Sequence, residues 1–138
     1  MRNISISVVM TVFNRAEKTA RCIDSIIREN KDGRYNLSFF ITNDGSTDNT
    51  EEILEKYQEN NQDIKFYVLQ GTGNLFWNKG MYLAYGEALK SKPDYYLWVN
   101  NDVVFTEGFL ANLLVDIDKA KQKNRITLIC GSVRSFET

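Results

Sequence analysis

The sequence contains no histidine, and it has only two cysteines and one proline among 138 residues. The lack of histidine excludes Ser-His-Asp and Cys-His catalysis as well as histidine-ligated metal sites. Cys22 and Cys130 are far apart and form no CxxC or Cys/His cluster, so we expect neither a disulfide framework nor a structural zinc site. Acid and base chemistry in this chain must therefore use carboxylates.

An excess of one charge is also lacking, because 17 Lys and Arg residues are balanced by 18 Asp and Glu residues for a net charge of −1. This balance does not favour binding to nucleic acid. The apolar segment 4–10 is too short and too interrupted for a signal peptide or a membrane span. We therefore expect a cytoplasmic protein with no transmembrane segment in this chain, and a peripheral position at the inner membrane face stays open for the full-length protein.

The length and composition indicate one globular domain over residues 1–138, because a domain usually takes roughly 100–200 residues. A composition of 43% hydrophobic and 25% charged residues is ordinary for soluble globular proteins and excludes collagen, coiled coil and disorder.

Hydrophobic periodicity predicts strands and helices in strict alternation. The predicted strands are 4–12, 37–42, 65–69, 95–100 and 126–131, and the predicted helices are 17–28, one begun by Asp48 and Glu51, 77–89 and 109–120. Such alternation predicts an α/β fold of three layers, with a mostly parallel sheet between helices. Together with the polar residues at the ends of three strands, it also predicts a strand order that begins 3-2-1-4. The aromatic residues expected in its core are Phe39, Phe40, Tyr96 and Trp98.

Polar residues follow three of the predicted strands, at 11–15, 43–46 and 100–102. Open parallel sheets bind ligands outside the carboxyl ends of their strands, so we expect these residues to border one cleft. The G-x-G-x-x-G and G-x-x-x-x-G-K-[ST] loops of dinucleotide and nucleoside-triphosphate sites are absent. A receiver domain or aspartyl-phosphatase would need an aspartate after strand one, where Asn14 is the nearest candidate.

Four motifs carry a family resemblance: S-V-V-M-T-V-F-N at 7–14, N-D-G-S-T-D at 43–48, G-N-L-F-W-N-K-G-M at 73–81 and N-N-D at 100–102. Together they resemble the nucleotide-binding half of the family-2 inverting glycosyltransferases, which have the Rossmann-like GT-A fold. The resemblance extends over about residues 4–132. The third motif together with N-N-D is most similar to bacterial rhamnosyl- and galactosyl-type members.

The resemblance implies a UDP- or dTDP-sugar donor, whose hexose or deoxyhexose is transferred with inversion to a hydroxyl of a polysaccharide or lipid-linked glycan. It implies that Asp44 accepts a hydrogen bond from the base, with charge assistance; turn chemistry is the alternative explanation of this residue. Trp77 and Asn78 would contact the sugar, although Trp77 could equally be a packing residue. The other nucleotide-binding residues implied are Thr11, Val12, Phe13, Asn14, Arg15, Asn74, Lys79, Asn100 and Asn101.

A divalent cation, Mg²⁺ or Mn²⁺, is implied as well, because family members hold one with a D-x-D motif at the donor diphosphate. In this chain Asp102 keeps the ligand position, but Asn100 replaces the first aspartate and contributes no charge. A site with one carboxylate should bind free metal weakly. The alternative is that N-N-D only turns the chain after its strand.

The general base of an inverting transfer must take a proton from the acceptor hydroxyl, and in the family this residue follows the metal motif at some distance. We therefore expect the base beyond Thr138 and residues 1–138 to be a truncated donor-binding part, with self-association through its uncovered edge. A non-catalytic module that binds a nucleotide sugar is the alternative. A downstream carboxylate in an acceptor domain would favour the enzyme.

Overall fold

The computed structural model describes residues 3–123 and 128–135. The chain divides into two compact units, Met1–Val104 and Phe105–Thr138. Within the described residues, the first unit contains a parallel sheet and three helices, and the second contains one helix. Among the described residues, no helix has the length and apolar character needed to cross a bilayer.

The sheet is formed by β1 (Ile4–Val12), β2 (Tyr35–Asn43), β3 (Lys65–Gln70) and β4 (Tyr95–Trp98). Its strand order is β3-β2-β1-β4, and every neighbouring pair is parallel. This confirms the predicted order 3-2-1-4. The central strand β1 is almost entirely buried, which agrees with its continuous apolar sequence.

Three helices of the first unit cover both faces of this sheet. They are α1 (Ala16–Arg28), α2 (Thr50–Asn60) and α3 (Phe76–Ser91). Neighbouring residues of a strand point to opposite faces. Accordingly, Phe40 packs with Met81 of α3, whereas Phe39 stacks on Phe66, which stacks in turn on Tyr57 of α2. The predicted α/β/α layering is therefore present within the first unit.

The second unit contains α4 (Phe109–Lys121), close to the predicted helix 109–120. The predicted strand 126–131 falls partly on residues 126 and 127, which lie outside the described residues. Residues 128–131 are described and form no strand, so that part of the prediction is wrong. Apolar composition alone cannot supply the neighbouring strand that a β-strand needs for its hydrogen bonds.

Trp98 was expected in the core, but 49% of its surface is exposed. It lies on β4, the edge strand of the described sheet, where it contacts Tyr85 edge to face. Phe39 and Phe40 are buried as expected, and Tyr96 is half-buried. An apolar strand sequence indicates a buried environment, but not the position of the strand in its sheet.

Candidate functional site

A cavity of about 330 Å³ lies at the carboxyl ends of the parallel strands. Its lining combines one guanidinium, one carboxylate, one indole, one hydroxyl and two amides: Thr11, Arg15, Trp77, Asn100, Asn101 and Asp102. All six are residues to which the family resemblance assigned contact with the nucleotide, the sugar or the metal. Two of the three polar segments predicted to border one cleft, those at the ends of β1 and β4, therefore meet here, and the start of α3 contributes Trp77. The third segment, 43–46, contributes no residue to the lining, so that part of the prediction is wrong.

The chain between β1 and α1 has an unusual backbone. Asn14 and Arg15 both adopt left-handed conformations, with φ of 55° and 64°, which are unfavourable for residues other than glycine. The N-D-G-S-T-D loop holds them there. The Asn14 N–H donates to Ser46 Oγ at 2.8 Å, and the Thr47 N–H donates to Asn14 Oδ1 at 2.8 Å.

Asp48 connects this loop to the starts of two helices. Its carboxylate accepts from the Ala16 N–H of α1 at 3.2 Å and from the Thr50 N–H of α2 at 3.0 Å. It also accepts from the Thr50 hydroxyl, and this hydrogen bond, followed by those from backbone N–H groups, lowers the pKa of Asp48 below its usual value. Asp48 therefore fixes how α1 and α2 leave the sheet.

Arg15 and Asp102 face each other across the cavity. Arg15 Nη1 lies 3.5 Å from Asp102 Oδ2, and the two side chains are 57% and 43% exposed. A pair at this length and exposure contributes about 0–1 kcal/mol. Both charged groups therefore remain available to an incoming ligand.

Asp44 is only 4% exposed and does not line the cavity. One carboxylate oxygen accepts from the Gly73 N–H at 2.8 Å, and the other accepts from the N–H groups of Leu75 and Phe76 at 2.9 and 3.0 Å. These donors lie at the start of α3, so Asp44 fixes the loop that precedes the helix. The family resemblance implied that Asp44 binds the ligand, and nothing in the sequence indicated these backbone hydrogen bonds.

Trp77 crosses the cavity to the segment after β4. Its indole N–H donates to Asn100 Oδ1 at 2.9 Å. Asn101, which is buried, donates to Thr19 Oγ1 at 3.0 Å. The N-N-D segment is thus held from α3 on one side and from α1 on the other.

Cys22 of α1 lies beneath this segment, where its thiol donates to the Asn100 carbonyl at 3.6 Å. Burial, and to a smaller extent the negative charge of Asp102, raises the pKa of Cys22 to about 12. The thiol is therefore protonated at neutral pH and is no nucleophile.

The remaining predicted site residues are not brought to the cavity. Val12 is buried, and the Asn14 side chain accepts a hydrogen bond from the loop after β2. Phe13, Asn74, Asn78 and Lys79 are exposed outside the lining.

Sequence reasoning missed the residues that support α3 from below. The Thr42 hydroxyl donates to the Gly80 carbonyl at 2.8 Å, and a side chain at Gly80 would collide with Thr11. The available signal was Gly80 within the motif at 73–81, because a glycine inside a helix lets a neighbouring element approach closely.

A divalent cation would find one carboxylate here, that of Asp102. The described residues contain no group of three or more His, Cys, Asp or Glu side chains suited to a metal. Mg²⁺ is commonly held by one or two carboxylates together with substrate phosphates. The donor set therefore fits a cation whose remaining ligands come from a bound diphosphate.

Comparison with known proteins gives a family match over residues 7–136, to the family described as glycosyl transferase family 2. Among curated proteins, the chain is 28% identical over 135 residues to a dolichyl-phosphate beta-glucosyltransferase of Dictyostelium discoideum, covering 94% of this chain and 40% of that protein. It is 22% identical to the glycosyltransferase GlyG of Streptococcus pneumoniae, covering 96% of this chain and 40% of GlyG. An uncharacterized glycosyltransferase of Nostoc sp. is 34% identical over 62% of this chain and 26% of its own length.

Solved structures share the fold. TarS of S. aureus in complex with UDP superposes with a TM-score of 0.63 at 22% identity, covering 84% of this chain and 32% of that one. The mannosyltransferase PcManGT of Pyrobaculum calidifontis, in complex with GDP-Man and Mn²⁺, gives a TM-score of 0.59 at 17% identity, covering 81% and 31%. The chain thus spans two fifths or less of the length of these relatives and structures.

Proposed function

Because this chain belongs to glycosyl transferase family 2, we propose that it binds the nucleotide-sugar donor of a glycosyl transfer reaction. The observation that carries the proposal is the cavity at the strand ends, where Arg15, Asp102 and Trp77 converge. A guanidinium suits phosphate, and an indole suits the apolar face of a sugar. The donor we propose is a UDP- or dTDP-sugar. The UDP complex of TarS and the GDP-Man complex of PcManGT support a nucleotide-sugar donor.

We propose that the acceptor is a hydroxyl of a polysaccharide or a lipid-linked glycan, and that the transfer inverts the configuration of the anomeric carbon. Thr11, Asn100 and Asn101 offer hydroxyl and amide groups for the nucleoside and the diphosphate. Asp44 supports the site by holding the loop before Trp77, and its contact with the base stays part of the proposal.

Asp102 is the residue we propose for Mg²⁺ or Mn²⁺, and the Mn²⁺ complex of PcManGT supports a divalent cation. When bound, such a cation neutralises charge on the leaving diphosphate as a Lewis acid.

Neither carboxylate of this region suits the general base. Asp44 is buried outside the cavity lining, and its two carboxylate oxygens already accept three backbone N–H groups, so it is not placed to take a proton from an acceptor hydroxyl. Asp102 faces Arg15 and is assigned to the diphosphate end. We therefore propose that residues 1–138 act as the donor-binding part and that the base belongs to the acceptor side.

A nucleotide-sugar-binding module without catalysis is the second candidate. The single carboxylate of N-N-D favours it, because the charge available for a cation is halved relative to D-x-D. A transfer assay with the full reading frame distinguishes the two, since a module would bind the donor without releasing its sugar to an acceptor.

A thermal-shift panel tests donor binding directly. UDP, dTDP and GDP and their sugars are each added with Mn²⁺, with Mg²⁺ or with EDTA. A ligand at 100 times its Kd stabilises the folded protein by about 2.7 kcal/mol, so the melting temperature should rise with UDP or dTDP, and more so with metal. If no nucleoside diphosphate raises the melting temperature at millimolar concentration, the proposed function is wrong.

A further inference from the structure

The cavity lining contains one positive and one negative side chain, Arg15 and Asp102, and the two are paired. A donor diphosphate carries negative charge that this lining must neutralise. The Asp102 carboxylate can do this only through a cation, whereas Arg15 can do it directly.

The backbone conformation at Arg15 indicates that its side chain has a function. With φ at 64°, this position would be unstrained for glycine, and asparagine would tolerate it better than arginine. The strain persists because the loop after β2 holds the preceding residue through Ser46 and Thr47, while Asp48 holds the following Ala16 N–H. An arginine kept in a conformation that suits glycine suggests a role for its guanidinium.

The present partner of that guanidinium is easily replaced. The Arg15–Asp102 pair is 3.5 Å long, and both side chains are about half exposed. A diphosphate presents several charged oxygens, which match the planar fork of arginine better than one carboxylate oxygen at this distance.

We propose that Arg15 is the diphosphate-binding residue of this site, and that donor binding exchanges its partner from Asp102 to the phosphate oxygens. The inference rests on the proposed function and adds a coupling between two ligands to it. When Arg15 binds the phosphate oxygens, Asp102 loses its competing partner and binds a divalent cation more readily. The nucleoside diphosphate and the cation therefore favour each other's binding, by the same factor in both directions.

Isothermal titration calorimetry with UDP, dTDP and GDP tests this, in EDTA and in Mn²⁺. Arg15→Gln should weaken diphosphate binding in EDTA roughly tenfold or more, as loss of a charge-assisted hydrogen bond does, and should leave the affinity for the nucleoside alone unchanged. Arg34→Gln is the matched control, because it removes an exposed arginine paired with Asp32 at 3.3 Å outside the cavity lining. Its affinity should equal that of the wild type.

Asp102→Asn gives the result that separates this inference from a merely structural ion pair. Without the competing carboxylate, Arg15 is free, so diphosphate binding in EDTA should become tighter while the gain from Mn²⁺ disappears. Arg15→Lys retains the charge without the fork and should fall between wild type and Arg15→Gln. Circular dichroism checks that each variant is folded, and if Arg15→Gln is unfolded, Arg15→Lys and Asp102→Asn decide.

Two results overturn the inference in different ways. If the wild type binds a diphosphate and folded Arg15→Gln binds it equally, or Asp102→Asn binds it more weakly in EDTA, Arg15 is not the diphosphate residue and the proposed function stands. If the wild type binds no nucleoside diphosphate under any condition, the proposed function fails and the inference fails with it.

Discussion

At the scale of single residues, Asp44 shows how a motif carboxylate can be occupied by the protein's own backbone. It accepts N–H groups from Gly73, Leu75 and Phe76, and Phe76 itself has a left-handed φ of 53°. A buried carboxylate with three such donors stabilises the folded state and keeps the start of α3 in one conformation. Replacing one carboxylate oxygen of Asp44 should therefore lower the stability of the folded protein, whether or not a ligand is bound.

We expect Asp44→Asn to lower the free energy of unfolding by about 1–3 kcal/mol, because its amide NH₂ would face backbone N–H donors. Urea denaturation followed by circular dichroism measures this. Asp32→Asn is the control, since Asp32 is exposed and pairs only at the surface, and it should change stability little. Equal stability of Asp44→Asn and the wild type would show that these backbone hydrogen bonds contribute nothing.

At the scale of elements, the approach of α3 to β1 depends on Gly80. An added Cβ there would collide with the side chain of Thr11, a residue of the cavity lining. Gly86 lies on the same helix, but a Cβ there would meet nothing within 4 Å. The two glycines thus separate packing from helix propensity.

We expect Gly80→Ala to destabilise the protein by about 1–3 kcal/mol through overpacking, while Gly86→Ala should stabilise it by up to about 1 kcal/mol through helix propensity. Thermal unfolding of both variants beside the wild type provides the measurement. Two shifts of the same sign would contradict the close packing of α3 on β1.

Asp48 belongs to the same scale, because it holds the starts of α1 and α2. Hydrogen bonds from Thr50 lower its pKa from the usual value of 3.8. A depressed carboxyl pKa stabilises the folded state above the unfolded pKa, and this contribution is lost as the pH falls through the folded value.

We therefore expect Asp48→Ala to lower the free energy of unfolding at neutral pH by roughly 0.5–1.5 kcal/mol, the usual net contribution of a hydrogen bond, because the N–H groups of Ala16 and Thr50 lose their acceptor. The difference from the wild type should shrink as the pH falls below 3.8. Urea denaturation at a series of pH values measures both curves. A difference that is independent of pH would mean that the charge of Asp48 has no part in its effect.

At the scale of the whole molecule, several acidic groups keep their protons in the folded state. Burial, with the charge of Asp102, raises the pKa of Cys22 to about 12. Burial and a hydrogen bond to Asp24 raise that of Tyr57, and burial raises that of Tyr96. Unfolding would release these protons at a pH where the folded protein still holds them.

The contribution of the protonated Cys22 thiol to the free energy of unfolding should accordingly be complete below its unfolded pKa, near 9.0. It should decrease as the pH rises above that value. Cys22 alone should contribute a slope of about 1.4 kcal/mol per pH unit between its unfolded and folded pKa values. Urea denaturation between about pH 8 and pH 11 gives this slope, and Cys22→Ala should make it shallower. Identical slopes in the two proteins would contradict the raised pKa.

The sequence by itself determined the parallel α/β fold, its strand order and the meeting of polar residues after β1 and β4, because hydrophobic periodicity and βα alternation permit few other arrangements. Six of the predicted site residues line the cavity. The four motifs between residues 7 and 102 were sufficient to identify the family.

Only the tertiary structure decided which of these side chains pair. Arg15 meets Asp102, Trp77 meets Asn100, and Asp44 turns to the backbone before α3 instead of the cavity. It also decided that Trp98 is exposed on the edge strand. These partners are tens of residues apart, and their contact depends on register, helix position and backbone dihedrals to within about an ångström. The period of apolar residues specifies which face of an element is buried, but it does not specify those distances.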